Sequence, residues 1–351
     1  MMDDGIIYIR VDASQTIGCG HVYRCLTLAE RLRNASKCSI EFIMKKLPGD
    51  MQNFITGKGF SVHSMPEKDY YNSKSDFEFT RSIIEKSSVT RKILIIDHYD
   101  LGYDWEEWFY RNCDIVLVID DLIDKKHCCH FLLNQTPFVK ENSYTSLVSN
   151  NAQLLLGEKY ILLRPEFERI RPKVNIEKNY SEPRFHIFFG SNDTKNYSYK
   201  YSKIMLDHFD TISLKVIQPN LNANTWAALK RKYKSRITII DKPISMPETM
   251  SDCDLALGAP GMTTWERATL GLAGIYIATN KNQTQILRKL DDIGFCHYIG
   301  LADEIDDNFF IEKVKTILNE KQILKKMSSF GFNQIDAQGV ERVTNIVLNI
   351  K

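Results

Sequence analysis

The feature that most constrains the fold is residues 6–32, where a strand pattern, a glycine loop and a helix pattern follow one another directly. Ile6, Ile7, Ile9 and Val11 form a nearly continuous apolar run, which is typical of a strand buried inside a parallel sheet. After the loop, apolar residues recur at helical spacing on one face, namely Val22, Cys25, Leu26, Ala29 and Leu32. The stretch predicts the first strand and helix of a doubly wound α/β domain.

The loop between strand and helix has the sequence Gly18-Cys19-Gly20-His21. Its glycines allow a sharp turn and close approach to a bound group, and the helix N-terminus offers unpaired N–H groups to an anion. Because imidazole as a side-chain type suits proton transfer near neutral pH, His21 could take a proton from water, or it could simply cap the first helical turn. Tyr23 occupies the third glycine position of G-x-G-x-x-G, which disfavours a dinucleotide site.

Composition restricts the class of protein. A chain of 351 residues is long enough for two domains, and 43% hydrophobic with 26% charged residues is typical of soluble globular proteins. No apolar stretch is long enough for a membrane span, and a net charge of +2 with interspersed signs argues against a nucleic-acid partner. Because the acidic start lacks a secretory signal pattern, we expect a cytoplasmic protein.

The cysteines and histidines give no support for a metal site. Eight cysteines are scattered without the spacing of a disulfide framework, so we expect free thiols. The run His127-Cys128-Cys129-His130 suggests metal ligands at first sight, but neighbours in a strand point to opposite faces and do not converge on one ion. We therefore expect no metal and no cofactor.

Polar residues follow further predicted strands of the first domain, which we place at residues 1–163. The strand at 92–97 ends on Asp97-His98-Tyr99, and the strand at 114–119 ends on Asp120 and Asp121. Since ligands bind beyond the carboxyl ends of parallel strands, we expect His21, Asp97, Tyr99 and Asp121 to share one crevice. The paired acids could hold a divalent ion, or Asp120 could cap the next turn, which we favour.

A proline-rich charged segment at 164–183 predicts a linker, followed by a second α/β domain at 184–351. A strand at 184–189 leads into Gly190-Ser191-Asn192-Asp193, a loop suited to phosphate.

A strand at 255–257 leads into a glycine- and threonine-rich helix start, with Gly261, Thr263 and Thr264, that suits a diphosphate. Glu266 either complements the helix dipole or accepts hydrogen bonds from ribose hydroxyls. The final helix, 336–350, could pack back on the first domain.

A phosphate site in one domain and a candidate base in the other indicate nucleotide-sugar chemistry. A nucleoside diphosphate leaves readily, because its terminal phosphate has a second pKa of roughly 6. A single histidine could then suffice, with His21 deprotonating the nucleophile and helix-end N–H groups stabilising the departing diphosphate. Whether the nucleophile is water or an acceptor hydroxyl stays open on this reasoning.

Five motifs carry a resemblance to a known family over nearly the whole chain: RVDASQTIGCGHVYRCLTLA, IIDHYDL, IDDLIDKKH followed by LLNQ, FFGSNDTKN and GAPGMTTWERATLGL. Together they resemble the UDP-sugar hydrolases of pseudaminic acid biosynthesis. The resemblance implies a GT-B fold, in which two Rossmann-like doubly wound α/β domains face each other across a cleft, as in MurG-type glycosyltransferases.

The implied reaction is hydrolysis of UDP-2,4-diacetamido-2,4,6-trideoxy-β-L-altrose to UDP and the free sugar, by inverting attack of water at the anomeric carbon with C–O cleavage. No metal is implied. The sugar would serve nonulosonate synthesis for flagellin or another surface glycan. The alternative is a GT-B glycosyltransferase that uses a UDP-sugar donor and an acceptor hydroxyl. We expect a monomer whose partner is the small-molecule UDP-sugar, with no membrane and no nucleic-acid partner.

The resemblance also implies roles for single residues. His21 matches the general base, and Tyr99 and Asn282 match polar groups near the sugar. Glu266 matches the ribose-binding acid. The residues expected to bind substrate are Gly18, Gly20, Arg24, Asp97, Gly190, Gly261, Thr263, Thr264, Glu266 and Gln283. The family's loop commonly reads Gly-Gly-[ST]-Asp where this chain has Gly190-Ser191-Asn192-Asp193, which weakens the expected approach to phosphate there, and His130 replaces a more usual Asp.

Overall fold

The computed structural model describes residues 5–66, 72–190, 193–218, 223–241 and 245–349. The chain divides into two compact units. The first comprises Met1–Arg164 together with Ala337–Lys351, and the second is Pro165–Asp336.

The described part of the first unit is built on a seven-stranded sheet in which every neighbouring pair is parallel. Its strands are β1 (Gly5–Val11), β2 (Ser39–Lys45), β3 (Ser61–Met65), β4 (Arg91–Asp97), β5 (Ile115–Ile119), β6 (Phe131–Asn134) and β7 (Gln153–Leu156). The strand order is β3-β2-β1-β4-β5-β6-β7. The order reverses between β1 and β4, which is where doubly wound sheets bind their ligands.

Helices cover this sheet: α1 (Gly20–Ala35), α2 (Gln52–Gly57), α3 (Ser73–Lys86) and α4 (Tyr103–Asn112). The predicted apolar face of α1 is buried, and its residues share one core with Ile7, Ile9 and Val11 of β1. Tyr23, on another face, is exposed. The pattern of residues 6–32 thus predicted both the elements and the side that packs on the sheet.

The second unit repeats this plan with a six-stranded parallel sheet. Its elements in chain order are α5 (Pro165–Ile170), β8 (Arg184–Phe188), α6 (Tyr197–His208), β9 (Ser213–Ile217), α7 (Ala223–Tyr233), β10 (Ile237–Ile240), α8 (Met246–Ser251), β11 (Leu255–Gly258), α9 (Met262–Thr269), β12 (Ala273–Ala278), α10 (Thr284–Asp292), β13 (Cys296–Leu301), α11 (Asp307–Asn319) and α12 (Lys321–Gln334). The order β10-β9-β8-β11-β12-β13 reverses between β8 and β11.

The segment expected to be a linker, 164–183, contains α5 and belongs almost entirely to the second unit. Arg171 explains why: its guanidinium donates to the carbonyl oxygens of Thr269 and Phe332, each at 2.7 Å. The guanidinium also lies over the ring of Phe332, 3.5 Å from its centroid. These contacts tie the segment to α9 and α12, so the second unit begins at Pro165.

The helix α13 (Gly339–Asn349) belongs to the first unit. Val343 and Val347 are fully buried in the core that also contains α1. Glu341 forms an ion pair with Arg31 of α1. Gly339 lies so close to the preceding part of this unit that a Cβ there would come within 2.3 Å of the carbonyl oxygen of Ile161.

Two further features concern the described residues only. No helix in the described ranges combines the length and the apolar composition that crossing a bilayer requires. Nor do three or more His, Cys, Asp or Glu side chains converge as metal ligands in this part of the chain. The eight cysteines are free thiols.

Candidate active site

The loop after β1 is shaped by Gly18. Its N–H donates to the carbonyl of Ser14 at 2.8 Å, and its φ of +83° lies in the left-handed region that favours glycine. The hydroxyl of Ser14 accepts the N–H of Ile17 at 3.0 Å. Gly20 differs, because it has an ordinary φ and a Cβ there would meet no atom within 4 Å. The backbone therefore requires glycine at position 18 only.

His21 is bound to Asp97, the last residue of β4, which pairs in register with Val11 of β1. Nδ1 of His21 lies 2.6 Å from Oδ1 of Asp97. Since an ionised carboxylate can only accept, Nδ1 carries the proton and Nε2 keeps its lone pair. The N-cap residue of α1 is Cys19, without a side-chain cap. His21 is therefore not a helix cap, and its ring is available as a base through Nε2.

Arg24 is buried and holds two carboxylates. Its Nε and Nη2 each lie 2.6 Å from an oxygen of Asp97, and its Nη1 lies 2.7 Å from Oδ2 of Asp121. Burial alone would raise the pKa of Asp97, but the charge of Arg24 and the hydrogen bonds from Arg24 and His21 hold it well below its usual range. Nη2 also lies 3.1 Å from Nδ1 of His21, a contact between two donors rather than a hydrogen bond. Arg24 thus keeps Asp97 ionised beside His21.

Tyr99 completes the group. Its ring meets the His21 ring edge to face, with centroids 4.6 Å apart, and its hydroxyl lies 3.5 Å from Oδ2 of Asp121. Partial burial and the charge of Asp121 raise the pKa of Tyr99 to about 12, so the hydroxyl keeps its proton at neutral pH. The structure therefore brings His21, Asp97, Tyr99 and Asp121 together at the strand ends.

Asp120 has a different role from its neighbour. Its carboxylate accepts the N–H groups of Leu122 and Ile123, at 2.9 and 3.1 Å, and the hydroxyl of Tyr144 at 2.7 Å. It caps the turn after β5, which is the interpretation favoured from the sequence.

A buried polar network lies beside this group and was not anticipated from the sequence. Arg10 on β1 is fully buried and bonds Asp76 on α3 and Asp12, with nitrogen–oxygen distances of 2.5 to 3.1 Å. Asp12 Oδ2 lies 3.0 Å from Nε2 of His98, whose Nδ1 accepts the N–H of Asp100 at 3.1 Å. The network anchors the end of β4 from the β1 side. An arginine inside an apolar strand is the sequence feature that indicates such a network, because a buried charge needs a partner of opposite charge.

In the second unit, glycines shape the loops after β8 and β11. Gly190 and Gly261 have φ values of +101° and +137°. Gly258 is required by close approach, since a Cβ there would lie 1.9 Å from the carbonyl oxygen of Phe188. Ser191 and Asn192, included in the predicted phosphate loop, lie outside the described residues. The carboxylate of Asp193 accepts the N–H groups of Tyr197 and Ser198 at 2.8 Å each, at the start of α6.

The start of α9 carries the other predicted residues, with Thr263 and Thr264 in its first turn and Glu266 just beyond that turn. The hydroxyl oxygen of Thr264 accepts the N–H of Gly261 at 3.2 Å and is buried, whereas Thr263 is partly exposed. Glu266 is 7% exposed. Arg267, not singled out from the sequence, is fully buried and donates to the carbonyls of Phe188 and Leu257 at 3.2 and 3.4 Å. It therefore holds the ends of the two strands that carry the glycine loops.

Asn282 and Gln283 lie on the 3-10 turn after β12. Asn282 is exposed. The side-chain oxygen of Gln283 accepts the N–H of Thr279 at 2.8 Å and of Asn280 at 3.4 Å, so this side chain shapes the turn itself.

Comparison with known structures defines the fold class. The chain matches MurG of Acinetobacter baumannii with a TM-score of 0.71 and 13% identity, over 99% of this chain and 100% of that one. It matches the spinosyn rhamnosyltransferase SpnG with a TM-score of 0.65 and 12% identity, over 97% and 99% of the two chains. At such identity the likeness shows the fold alone, and it confirms the predicted class of two Rossmann-like α/β domains of the GT-B type.

Comparison of sequences defines the family. No family model matches the chain. A protein of Campylobacter jejuni, the UDP-2,4-diacetamido-2,4,6-trideoxy-β-L-altropyranose hydrolase, is 31% identical over 217 residues, which are 61% of this chain and 71% of that protein. With this identity and coverage, and with the predicted motifs on the GT-B fold, the chain belongs to the family of that hydrolase.

Proposed function

We propose that the protein hydrolyses UDP-2,4-diacetamido-2,4,6-trideoxy-β-L-altrose to UDP and 2,4-diacetamido-2,4,6-trideoxy-L-altrose. Membership of the family supports the substrate. The observation that carries the reaction type is the 2.6 Å contact between His21 and Asp97, which leaves Nε2 of His21 with a lone pair at the mouth of α1. Such a nitrogen can take a proton from water at neutral pH.

The proposed chemistry has one displacement step. Nε2 of His21 accepts a proton from water while the water oxygen bonds to the anomeric carbon from the face opposite UDP. The bond between that carbon and the diphosphate oxygen breaks, and its electron pair leaves with UDP, which gives inversion. Asp97 stabilises the imidazolium that forms, and the proton then passes to solvent. No metal takes part in this step.

We assign UDP binding to the second unit. The backbone N–H of Gly190 and the N–H groups at the start of α9 would face the diphosphate, with the hydroxyl of Thr263 beside them. Gly261 and Thr264 would shape this loop, because the N–H of Gly261 donates to the Thr264 hydroxyl and the N–H of Thr264 donates to the Gly261 carbonyl. Glu266 would accept hydrogen bonds from the ribose.

On the first unit, Tyr99 would contact the sugar, and the N–H groups near Gly18 and Gly20 would assist the departing phosphate. On the second unit, Asn282 is the exposed polar side chain that we propose as a sugar contact. Gln283 holds the turn that carries Asn282. Arg24 and Asp97 would act through His21 rather than by touching the sugar, because both are buried.

Incubation of the pure protein with the UDP-sugar alone tests the proposal. We expect release of UDP in step with the free sugar, and in ¹⁸O-labelled water the label should appear at the anomeric oxygen of the sugar and not in UDP. Release of UDP only when an acceptor alcohol is added would establish the glycosyltransferase alternative instead.

His21→Asn tests the base directly. The Asn amide can still donate to Asp97, but it has nothing in place of Nε2, so we expect UDP release to fall about 10²- to 10⁴-fold with the fold intact. His63→Asn is the matched control, because His63 lies on β3, is partly exposed and pairs with Glu41. Wild-type activity in the His21→Asn variant would refute the assignment of the base.

A further inference from the structure

Arg24 links two chains of hydrogen-bonded side chains, here called arms. Each arm ends on a different functional residue. One arm runs from Nε and Nη2 through Asp97 to Nδ1 of His21. The other runs from Nη1 through Oδ2 of Asp121 to the hydroxyl of Tyr99. The rings at the ends of the two arms are in contact, with centroids 4.6 Å apart. The proposed function uses the first arm and leaves the second without a task.

The second arm determines what the Tyr99 hydroxyl can do. A phenol has one proton to donate and lone pairs that accept. Asp121 can only accept, so the Tyr99 hydroxyl proton points to it, and no donor among the described residues reaches the phenolic oxygen of Tyr99. The 3.5 Å separation is at the long limit for such a bond, as is common at catalytic sites before substrate binding tightens them. The lone pairs of the phenolic oxygen are therefore left to accept a hydrogen bond from another molecule.

An attacking water needs two acceptors. One of its protons goes to the base, and the other must be hydrogen-bonded so that the oxygen lone pair faces the carbon. His21 supplies the first acceptor through Nε2. Tyr99 is the neighbouring side chain whose oxygen is free to be the second.

We propose that Asp121 is a positioning residue: held by Arg24, it accepts the Tyr99 hydroxyl hydrogen bond, so that the phenolic oxygen of Tyr99 can accept a hydrogen bond from the second O–H of the nucleophilic water. The inference rests on the proposed hydrolysis. No proton moves from Tyr99, which acts as an acceptor of a hydrogen bond throughout.

A purely electrostatic role for Asp121 makes a different prediction. If its charge served to stabilise the His21 imidazolium, then Asp121→Asn would lower kcat in the Tyr99→Phe background as much as in the wild-type background. Positioning through Tyr99 predicts no further loss of kcat in the Tyr99→Phe background.

A double-mutant cycle tests the inference with wild type, Asp121→Asn, Tyr99→Phe and the double variant, each assayed for UDP release without an acceptor. We expect each single change to lower kcat about 10- to 100-fold with KM for the UDP-sugar nearly unchanged. The double variant should match Tyr99→Phe within about twofold, because Asp121 acts only through Tyr99. Asp124→Asn, an exposed neighbour, is the control and should leave kcat unchanged.

Two outcomes would overturn the inference: a wild-type kcat in Asp121→Asn, or effects on kcat that multiply in the double variant. Circular dichroism checks folding, and Asp121→Ser replaces the Asn variant if that one does not fold. If wild-type enzyme releases no UDP without an acceptor, the hydrolase proposal fails and the inference falls with it. If wild type is active and the effects of the two single substitutions on kcat multiply in the double variant, only the role of Asp121 is wrong.

Discussion

Oδ1 of Asp97 and Nδ1 of His21 lie 2.6 Å apart, and Asp97 at the same time receives two N–H groups of Arg24. The carboxylate is therefore saturated with donors on both oxygens. This arrangement fixes the proton of the imidazole on Nδ1, so the basicity of Nε2 depends on the ability of residue 97 to accept.

Replacing Asp97 by Asn should switch off the base. The amide oxygen would turn to the charged Arg24, and the amide N–H would face His21, which would then carry its proton on Nε2. We expect kcat for UDP release to fall about 10²- to 10⁴-fold. Asp100→Asn, in the exposed turn that follows the same strand, is the control and should behave as wild type. Full activity in Asp97→Asn would mean that the tautomer does not matter to the reaction.

The two loop glycines should respond differently to alanine. Gly18→Ala forces a side chain into a backbone with φ of +83° and should cost about 1–2 kcal/mol in the free energy of unfolding. Gly20→Ala has ordinary backbone and open space, so stability should stay constant or rise by about 0.5 kcal/mol. Urea titrations measure both values.

Gly20→Ala also tests whether substrate approaches this loop. Since a methyl group there meets no protein atom, a raised KM for the UDP-sugar would report contact with the substrate itself. An unchanged KM would show that Gly20 makes no close approach to the ligand.

Glu266→Ala should weaken UDP binding. Loss of hydrogen bonds from ribose hydroxyls to a carboxylate should raise the Kd for UDP about 10- to 100-fold in isothermal titration calorimetry. Glu248→Ala is the control, because Glu248 is an exposed acid near the start of a different helix, α8. Equal affinity for UDP in the two variants would disprove the ribose assignment.

The network around Arg10 should make stability depend on acid pH. Burial would raise the pKa of Asp12, but Arg10 and His98 lower it well below its usual range. The folded state therefore favours the ionised form, and the contribution of Asp12 is complete above about pH 4 and is lost as pH falls further. We expect the free energy of unfolding to fall by up to about 1.4 kcal/mol per pH unit from this group below pH 4.

Asp12→Asn should remove that part of the acid dependence and lower the free energy of unfolding at neutral pH by about 3 kcal/mol, because Arg10 loses a buried partner. Urea titrations between about pH 3 and pH 7 measure both effects. Asp124→Asn, exposed on the same unit, should follow the wild-type curve. If the free energy of unfolding fell equally at acid pH in Asp12→Asn and in wild type, Asp12 would not be the group that causes the acid dependence.

The periodicity of single segments predicted much of the fold. The strand and helix of residues 6–32 were predictable because β1 is buried on both faces and α1 on one, so each leaves its own spacing in the sequence. Asp97 and Tyr99 were predictable because they follow an apolar strand. These inferences need only neighbours in sequence and the general geometry of parallel sheets.

Relationships between distant residues were not predictable in this way. Arg10 bonds Asp76, which lies 66 positions away in the sequence, and nothing in the sequence around either residue identifies the other as its partner. The segment 164–183 has the proline content of a linker, but Arg171 ties it to α9 and α12 through two carbonyls that any residue could supply. The capping use of Thr264 and Gln283 likewise depends on loop shapes that spacing does not encode.

The return of α13 to the first unit has a consequence for biosynthesis. Pro165–Asp336 forms the second unit from one continuous segment, whereas the first unit needs residues from both sides of it. During translation, which delivers a chain from its N-terminus, the second unit can be complete while α1 still lacks the helix that covers it. The ribosome-bound intermediate then exposes the apolar surface of the first unit that Val343 and Val347 later cover, and this surface is where a chaperone would bind.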